Sequence, residues 1–196
     1  MAKEIERRFL VDESSLSNKY NHINYINQGY LIKPGESTTV RVRISLLNSI
    51  GVEHDSKIIN AGSYLTIKIQ ESYGSVDEFE YRIPIGDAKK LLLECDKVIS
   101  KFRYVYKYDK YIIELDRFGK DLSGIIIAEV ELDDINKEFP MPPYFTHEVT
   151  GIRELSNFSM INNPDRAKEI IKQIKFGAYE LPSTNYRKEN VHTSKN

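Results

Sequence analysis

In the opening stretch EIERRF, the residues Glu4, Glu6 and Arg8 occupy every second position, with Ile5, Arg7 and Phe9 filling the alternate ones. A β-strand sends successive side chains to opposite faces, so a strand here carries three charges on one side. The pattern recurs. TTVRVRI pairs Arg41 with Arg43, and LTIKIQ sets Lys68 against Ile67 and Ile69. EFEYRIPI groups Glu78, Glu80 and Arg82, and ISKFRYVYK groups Lys101 with Arg103. YIIELDRF groups Glu114 with Asp116, and IIIAEVEL groups Glu129 with Glu131. Seven of eight strand-like runs carry charge on one face and apolar residues on the other.

Two arrangements satisfy this pattern. The charged faces of an antiparallel sheet can meet water, as the outer faces of sandwiches do. Alternatively, eight strands can close into a barrel with a polar, ligand-sized interior. Exposed strands usually mix Thr, Ser, Lys and Gln with their charges, whereas here the charges come as same-face pairs. Several are arginines, whose fork suits oxygen contacts. Turned inward, the acids are Glu4, Glu6, Glu78, Glu80, Glu114, Asp116, Glu129 and Glu131; the bases are Arg8, Arg41, Arg43, Lys68, Lys101 and Arg103, with Arg82 undecided. Such burial is costly unless the charges neutralise one another or bind ions. Carboxylate ligands suit Mg²⁺ or Mn²⁺ rather than zinc. The implied chemistry is metal-assisted attack on a polyphosphate, with the basic residues gripping phosphoryl oxygens.

Period-two alternation predicts strands near 3–11, 22–32, 38–46, 63–71, 76–85, 98–108, 110–118 and 125–133. A short helical pattern covers 12–20, and GDAKKLLLECD (86–96) reads as a helix with Asp87 at its N-cap and Leu91, Leu92 and Cys95 on one side. After Pro140, Pro142 and Pro143 the pattern turns helical, and 165–176 is amphipathic. The expected fold is therefore α+β: an eight-stranded antiparallel barrel with flanking and C-terminal helices. Residues 1–176 read as one domain and 177–196 as a polar tail. A net charge of −1 gives no bulk attraction to nucleic acid or an anionic membrane. With so charged an opening no leader or anchor is expected to start there, and no apolar run approaches the roughly 20 residues of a membrane span. With one cysteine, Cys95, the expectation is a cytoplasmic protein. His22, His54, His147 and His192 show no metal-ligand spacing, and no Ser or Cys sits in a nucleophile motif.

EIERRFLV closely resembles the opening of the CYTH superfamily, the triphosphate tunnel metalloenzymes, whose signature is ExExK. The resemblance continues in order through QGYL (28–31), VRVR (40–43), LTIK (65–68), EFEY (78–81), KFRY (101–104), ELDRFG (114–119), AEVEL (128–132) and EVT (148–150). It implies a triphosphate tunnel binding two divalent metals, Mg²⁺ or Mn²⁺. By resemblance Glu4, Glu6, Asp116, Glu129 and Glu131 are metal positions, and Arg8, Arg41, Arg43, Lys68, Lys101 and Arg103 are phosphate positions. Glu78, Glu80 and Glu114 are acidic tunnel positions that orient bases or serve a second metal. Tyr30 matches a tunnel tyrosine, and it joins Glu4, Glu6 and Arg8 as a catalytic candidate. Three departures stand out: Arg8 replaces the signature lysine, the segment 45–64 is long, and RELSNFSM carries Glu154 and Leu155 where an Arg-Tyr pair is usual.

The resemblance most favours hydrolysis of inorganic triphosphate to pyrophosphate and phosphate. Conversion of ATP to cyclic AMP and hydrolysis of thiamine triphosphate are the enzymatic alternatives. The absence of Trp removes indole stacking on a thiamine or adenine ring, though Tyr can substitute. A polyphosphate-binding module without turnover is the non-enzyme alternative, disfavoured because anion binding alone needs bases rather than eight carboxylates. The implied partner is a small triphosphate, with no nucleic acid or membrane. The helix 165–176 leaves a homodimer open.

Overall fold

The computed structural model describes residues 5–16, 20–32, 38–48, 59–72, 75–132, 134 and 137–181. Its strands are β1 (Ile5–Val11), β2 (His22–Ile32), β3 (Thr38–Asn48), β4 (Ile59–Ser72) and β5 (Ser75–Arg82). After helix α1 (Ile85–Leu93) come β6 (Val98–Tyr108), β7 (Tyr111–Phe118), β8 (Ile126–Leu132) and β9 (Phe145–Glu148), then helices α2 (Asn157–Asn162) and α3 (Pro164–Lys175). The strands form one sheet in the order β5-β4-β3-β2-β6-β7-β8-β1-β9. All pairings are antiparallel. Among the described residues β5 and β9 are its edges and are not hydrogen-bonded to each other.

The sheet curls. In a flat sheet β2 and β1, four neighbours apart in strand order, would lie about 19 Å from each other. Yet the charges of Arg8 on β1 and Glu129 on β8 act on Tyr30 of β2. Arg43 of β3 likewise responds to Arg103 of β6 and Glu114 of β7. The charged face is therefore the concave one, as a barrel-like tunnel requires.

The convex face is apolar. Phe9, Ile113, Leu115, Ala128 and Val130 are fully buried there beneath Phe139 and Tyr144. Further round, α1 lays Ala88, Leu91 and Leu92 over Val42 and Ile44, joined by Cys95 just past the helix end. Gly29 makes that approach close: a Cβ there would stand 2.6 Å from Cys95 Sγ.

One end of the concave face is also apolar. Two residues beyond Arg8, Glu129 and Asp116 stand Leu10, Ile127 and Phe118, and two before Lys101 stands Ile99. These four join Leu155, Met160, Ile161, Ala167, Ile170 and Ile174 in one buried cluster. The helices α2 and α3 thus plug that end. Lys97 Nζ donates to the carbonyl of Ile161 at 3.2 Å and fastens the plug to the sheet.

Several local expectations change. β9 is a ninth strand, only four residues long and too short to show period two. The helix at 86–96 begins at Ile85 and ends at Leu93, with Pro84 at the N-cap. Asp87 is not the cap: its N–H donates to Pro84 O at 3.0 Å within the first turn. Proline needs no donor and already holds a suitable φ, so the helix starts from it, and Asp87 favours the positive end of the helix dipole. Of the helical pattern at 12–20, the described residues form one 3₁₀ turn, Glu13–Ser15, and 17–19 lie outside them. Asp12 accepts from Ser14 N and from both serine hydroxyls, closing that turn locally. Strands β3 and β4 extend into the segment 45–64; His54 lies outside the described residues. Among the described residues no helix is long and apolar enough to cross a membrane.

Ile170 in α3 is fully buried in the plug, whereas Leu93 at the end of α1 is 83 % exposed. Ile170→Ala is expected to lower unfolding free energy by about 2–5 kcal/mol, and Leu93→Ala by less than about 0.5, in urea denaturation.

Candidate active site

The densest charge cluster sits where β6, β7 and β8 meet. Arg103 lies directly opposite Asp116, and Glu114 directly opposite Glu129. Two carboxylates facing each other across strands repel unless a cation joins them. Arg103 is that cation. Its Nη2 reaches Glu129 at 2.7 Å, its Nη1 donates to Glu114, and its Nε and Nη2 both hold Asp116 at 2.7 Å. Lys101 Nζ donates to the same Asp116 at 2.5 Å and lies 5.4 Å from the Phe118 ring centroid. Lys101 and Asp116 are almost wholly enclosed, at 2 % and 0 % exposure. Burial alone would push the Asp116 carboxyl up, but Arg103 and Lys101 outweigh it and hold the group down at about 2. Burial likewise works against the Arg103 charge, and Asp116, Glu129 and Glu114 overcome it, raising its pKa well above the ordinary value.

Opposite this cluster, β3, β4 and β5 carry a second one. Arg43 Nη2 contacts both oxygens of Glu80, at 3.1 and 3.3 Å. Arg41 Nη2 donates to Thr66 Oγ1 at 3.1 Å, and the Thr66 hydroxyl in turn donates to Glu80 Oε2 at 3.0 Å. Lys68 Nζ pairs with Glu78 at 2.7 Å. Burial and the neighbouring Arg41 lower the Arg43 pKa. Arg82 stands opposite Tyr64 at the rim and is exposed. Among the described residues, the buried Nε–H groups of Arg41 and Arg43 meet no hydrogen-bond acceptor. Leaving such a donor open costs roughly 1–3 kcal/mol, a cost that an oxyanion bound at this face would remove.

Between the clusters, near the plug, stand Tyr30 and Arg8. Tyr30 packs edge-on against Phe158 of α2, with ring centroids 5.1 Å apart, and Gln28 Nε2 donates to its hydroxyl at 3.2 Å. Burial pushes the Tyr30 hydroxyl up to about 12, so it stays protonated at neutral pH. Arg8 is paired with Glu129 in register, its Nε 3.5 Å from that carboxylate, and its Nη2 donates to the Leu155 carbonyl.

Among the acids assigned by resemblance to metal, Glu6 and Glu131 oppose each other across β1 and β8 and are exposed. Opposed carboxylates of this kind gain from a bridging cation, and hard oxygen donors suit Mg²⁺ or Mn²⁺. Among the described residues no three metal-binding side chains are gathered into one group. Glu4 lies outside the described residues. Glu129 borders Glu131 on the same face, and Asp116 has both oxygens committed to Lys101 and Arg103. Among the described residues the Glu6–Glu131 pair therefore offers two carboxylates, donors of the hard oxygen type that would suit Mg²⁺ or Mn²⁺.

Apart from Glu4, the candidate residues read from the sequence all fall on this concave face. Sequence reading missed Thr66 and Gln28, which share strand parity with Lys68 and Tyr30. It also missed the Leu155 carbonyl, a backbone group that no side-chain pattern marks.

A CYTH domain matches residues 2–161. The chain belongs to the CYTH domain family. It is 34% identical over 166 residues to an inorganic triphosphatase of Acetivibrio thermocellus, a match spanning 84% of this chain and 96% of that one. A crystal structure of an inorganic triphosphatase superposes with a TM-score of 0.56 at 27% identity, covering 82% of this chain and 95% of the other.

Asp116 titrates near 2 in the fold against an ordinary 3.8. A depressed carboxyl contributes stability that is complete above its unfolded pKa and is lost as pH falls through the folded one. Asp116→Asn is expected to lower stability by about 3–5 kcal/mol near neutral pH, because it leaves Lys101 buried without its carboxylate and takes one of three carboxylates from Arg103. Thermal melts should show that gap between wild type and D116N closing as pH falls from about 4 to about 2.

Proposed function

We propose that the protein hydrolyses inorganic triphosphate to pyrophosphate and phosphate inside its concave charged face, in a reaction that depends on Mg²⁺ or Mn²⁺. The observation that carries this reading is the pair of buried, acceptorless Nε–H groups on Arg41 and Arg43 across from the Arg103 cluster. The likeness to two inorganic triphosphatases supports it.

On this reading Arg8, Arg41, Arg43, Lys68, Lys101 and Arg103 bind the phosphate chain. Their guanidinium and ammonium groups stabilise charge that spreads over the equatorial oxygens as water attacks the terminal phosphorus in line. Glu78, Glu80 and Glu114 hold the bases in position until substrate oxygens compete for them. Tyr30 keeps its proton and donates a hydrogen bond to a phosphoryl oxygen or to the attacking water. Glu6 and Glu131, with Glu129 and, by resemblance, Glu4, would hold two cations, and Asp116 anchors Lys101 and Arg103 beside them. When bound, such a cation offsets the charge of the phosphate chain and polarises its oxygens. The expected unit is one domain over 1–176 with a tail over 177–196, working in the cytoplasm on a small anion, with neither nucleic acid nor membrane as partner. Homodimer formation through α3 remains compatible with this reading.

Purified protein should release phosphate from inorganic triphosphate with Mg²⁺ or Mn²⁺, faster than from thiamine triphosphate or ATP and without forming cyclic AMP. Chelator should stop it. E131Q should remain folded and lose turnover, and R43A should raise KM and lower kcat by about tenfold or more in combination. Cyclic AMP as the main product from ATP would replace hydrolysis with cyclisation, and tight triphosphate binding without turnover would make the protein a binding module.

A further inference from the structure

The segment EVT (148–150) lies at the end of β9, outside the charged concave face, and the hydrolytic reading gives it no role. Its contacts converge on β1. Arg7, on the convex side, makes a forked pair with Glu148, Nε to Oε1 at 2.9 Å and Nη2 to Oε2 at 2.6 Å. The guanidinium is sandwiched near the rings of Phe9 and Phe139, 5.2 and 5.3 Å from their centroids. Thr150 Oγ1 donates to Glu148 Oε1 at 2.9 Å and accepts the backbone N–H of Arg8 at 2.9 Å. Val149 N donates to the Arg8 carbonyl at 2.8 Å. Both backbone polar groups of Arg8 are therefore held from this side.

The sheet cannot supply those bonds in the usual way. β9 ends at Glu148, and the chain turns away at Gly151, where φ is +79°. A continuing strand would offer a carbonyl to the Arg8 N–H; the Thr150 hydroxyl takes that place. The same segment then crosses to the concave side, where the Leu155 carbonyl accepts Arg8 Nη2 at 2.5 Å. Eight residues, 148–155, thus grip β1 on both faces at consecutive positions, Arg7 outside and Arg8 inside.

We propose that Glu148 and Thr150 are positioning residues that fix the aim of the Arg8 guanidinium at the phosphate chain. The physical reason lies in leverage. An arginine side chain magnifies any twist of its own backbone, and the Arg8 fork must serve Glu129, Leu155 and a substrate oxygen at once. A lysine ammonium is a compact point charge with three rotatable donors and tolerates such a twist; a planar guanidinium does not. The clasp thus matters more because position 8 is arginine. The proposal rests on the lumen being the triphosphate site.

A double-mutant cycle tests it, with Mg²⁺ and inorganic triphosphate as substrate. T150V should lower kcat/KM by about tenfold in the otherwise unchanged protein and by less than about twofold in an R8K background, while T150S stays near wild type. E148Q repeats the cycle from the other end of the clasp, should T150V not yield folded protein. Equal losses from T150V with either residue at position 8, or a loss that follows the melting temperature alone, would overturn the clasp and leave the hydrolytic reading standing. A fully active R8A variant would remove Arg8 from the site and overturn the clasp alone, whereas no hydrolysis of inorganic triphosphate by the unchanged protein would take both down together.

Discussion

A single guanidinium, that of Arg103, joins three carboxylates from two neighbouring strands, and the shape of the charged face depends on it. Asp116, Glu114 and Glu129 all lean on this one group. Removing charge from water is tolerable only where partners replace the lost solvation. The register of β6 on β7 and of β7 on β8 therefore has little freedom: a slip of one residue would put every one of these charges on the convex side. There it would displace Ile113, Leu115, Ala128 and Val130 from their core. Folding and site assembly are the same event in this part of the molecule.

The boundary between site and plug is equally sharp. Arg8 is followed on its face by Leu10, Glu129 is preceded by Ile127, and Asp116 is followed by Phe118. One pleat separates an ion pair from a packed hydrocarbon side chain. With α2 and α3 filling the apolar end, the charged face ends blind there, and the exposed Glu6 and Glu131 mark the opposite approach. A polyanion entering past those two acids meets repulsion before it reaches Arg41, Arg43 and Arg103. That order makes sense for a substrate that arrives already neutralised in part by a divalent cation.

Much of this was legible in the sequence because strand parity is a strict two-residue rule. Same-face pairs such as Arg41 with Arg43 and Glu129 with Glu131 survive any small error in strand ends. The amphipathic helix was legible for the same reason, since Ile170 and Ile174 repeat at helical spacing. Parity says nothing, however, about which acid neutralises which base, because that follows from register between strands distant in sequence. Lys101 and Asp116 were assigned to phosphate and metal separately, and only the fold shows them bonded to each other. β9 left no signal, since four residues do not establish a period. Thr66 looked like an ordinary strand residue until its hydroxyl was seen between Arg41 and Glu80.

The charge count now acquires a location. On the β6–β8 side, two bases meet three acids, and Arg8 adds a third base beside Glu129. On the β3–β5 side, Arg41, Arg43 and Lys68 meet Glu78 and Glu80. The interior clusters are thus balanced or slightly basic once their members are paired in space. The acidic surplus read from the sequence is displaced to the first strand and its neighbour, where Glu6 and Glu131 face each other. An even spread of acids would have repelled phosphate everywhere. On the proposed reading, segregation instead offers a basic floor to the anion and a carboxylate-rich edge to the cation, the two halves of a metal–polyphosphate complex.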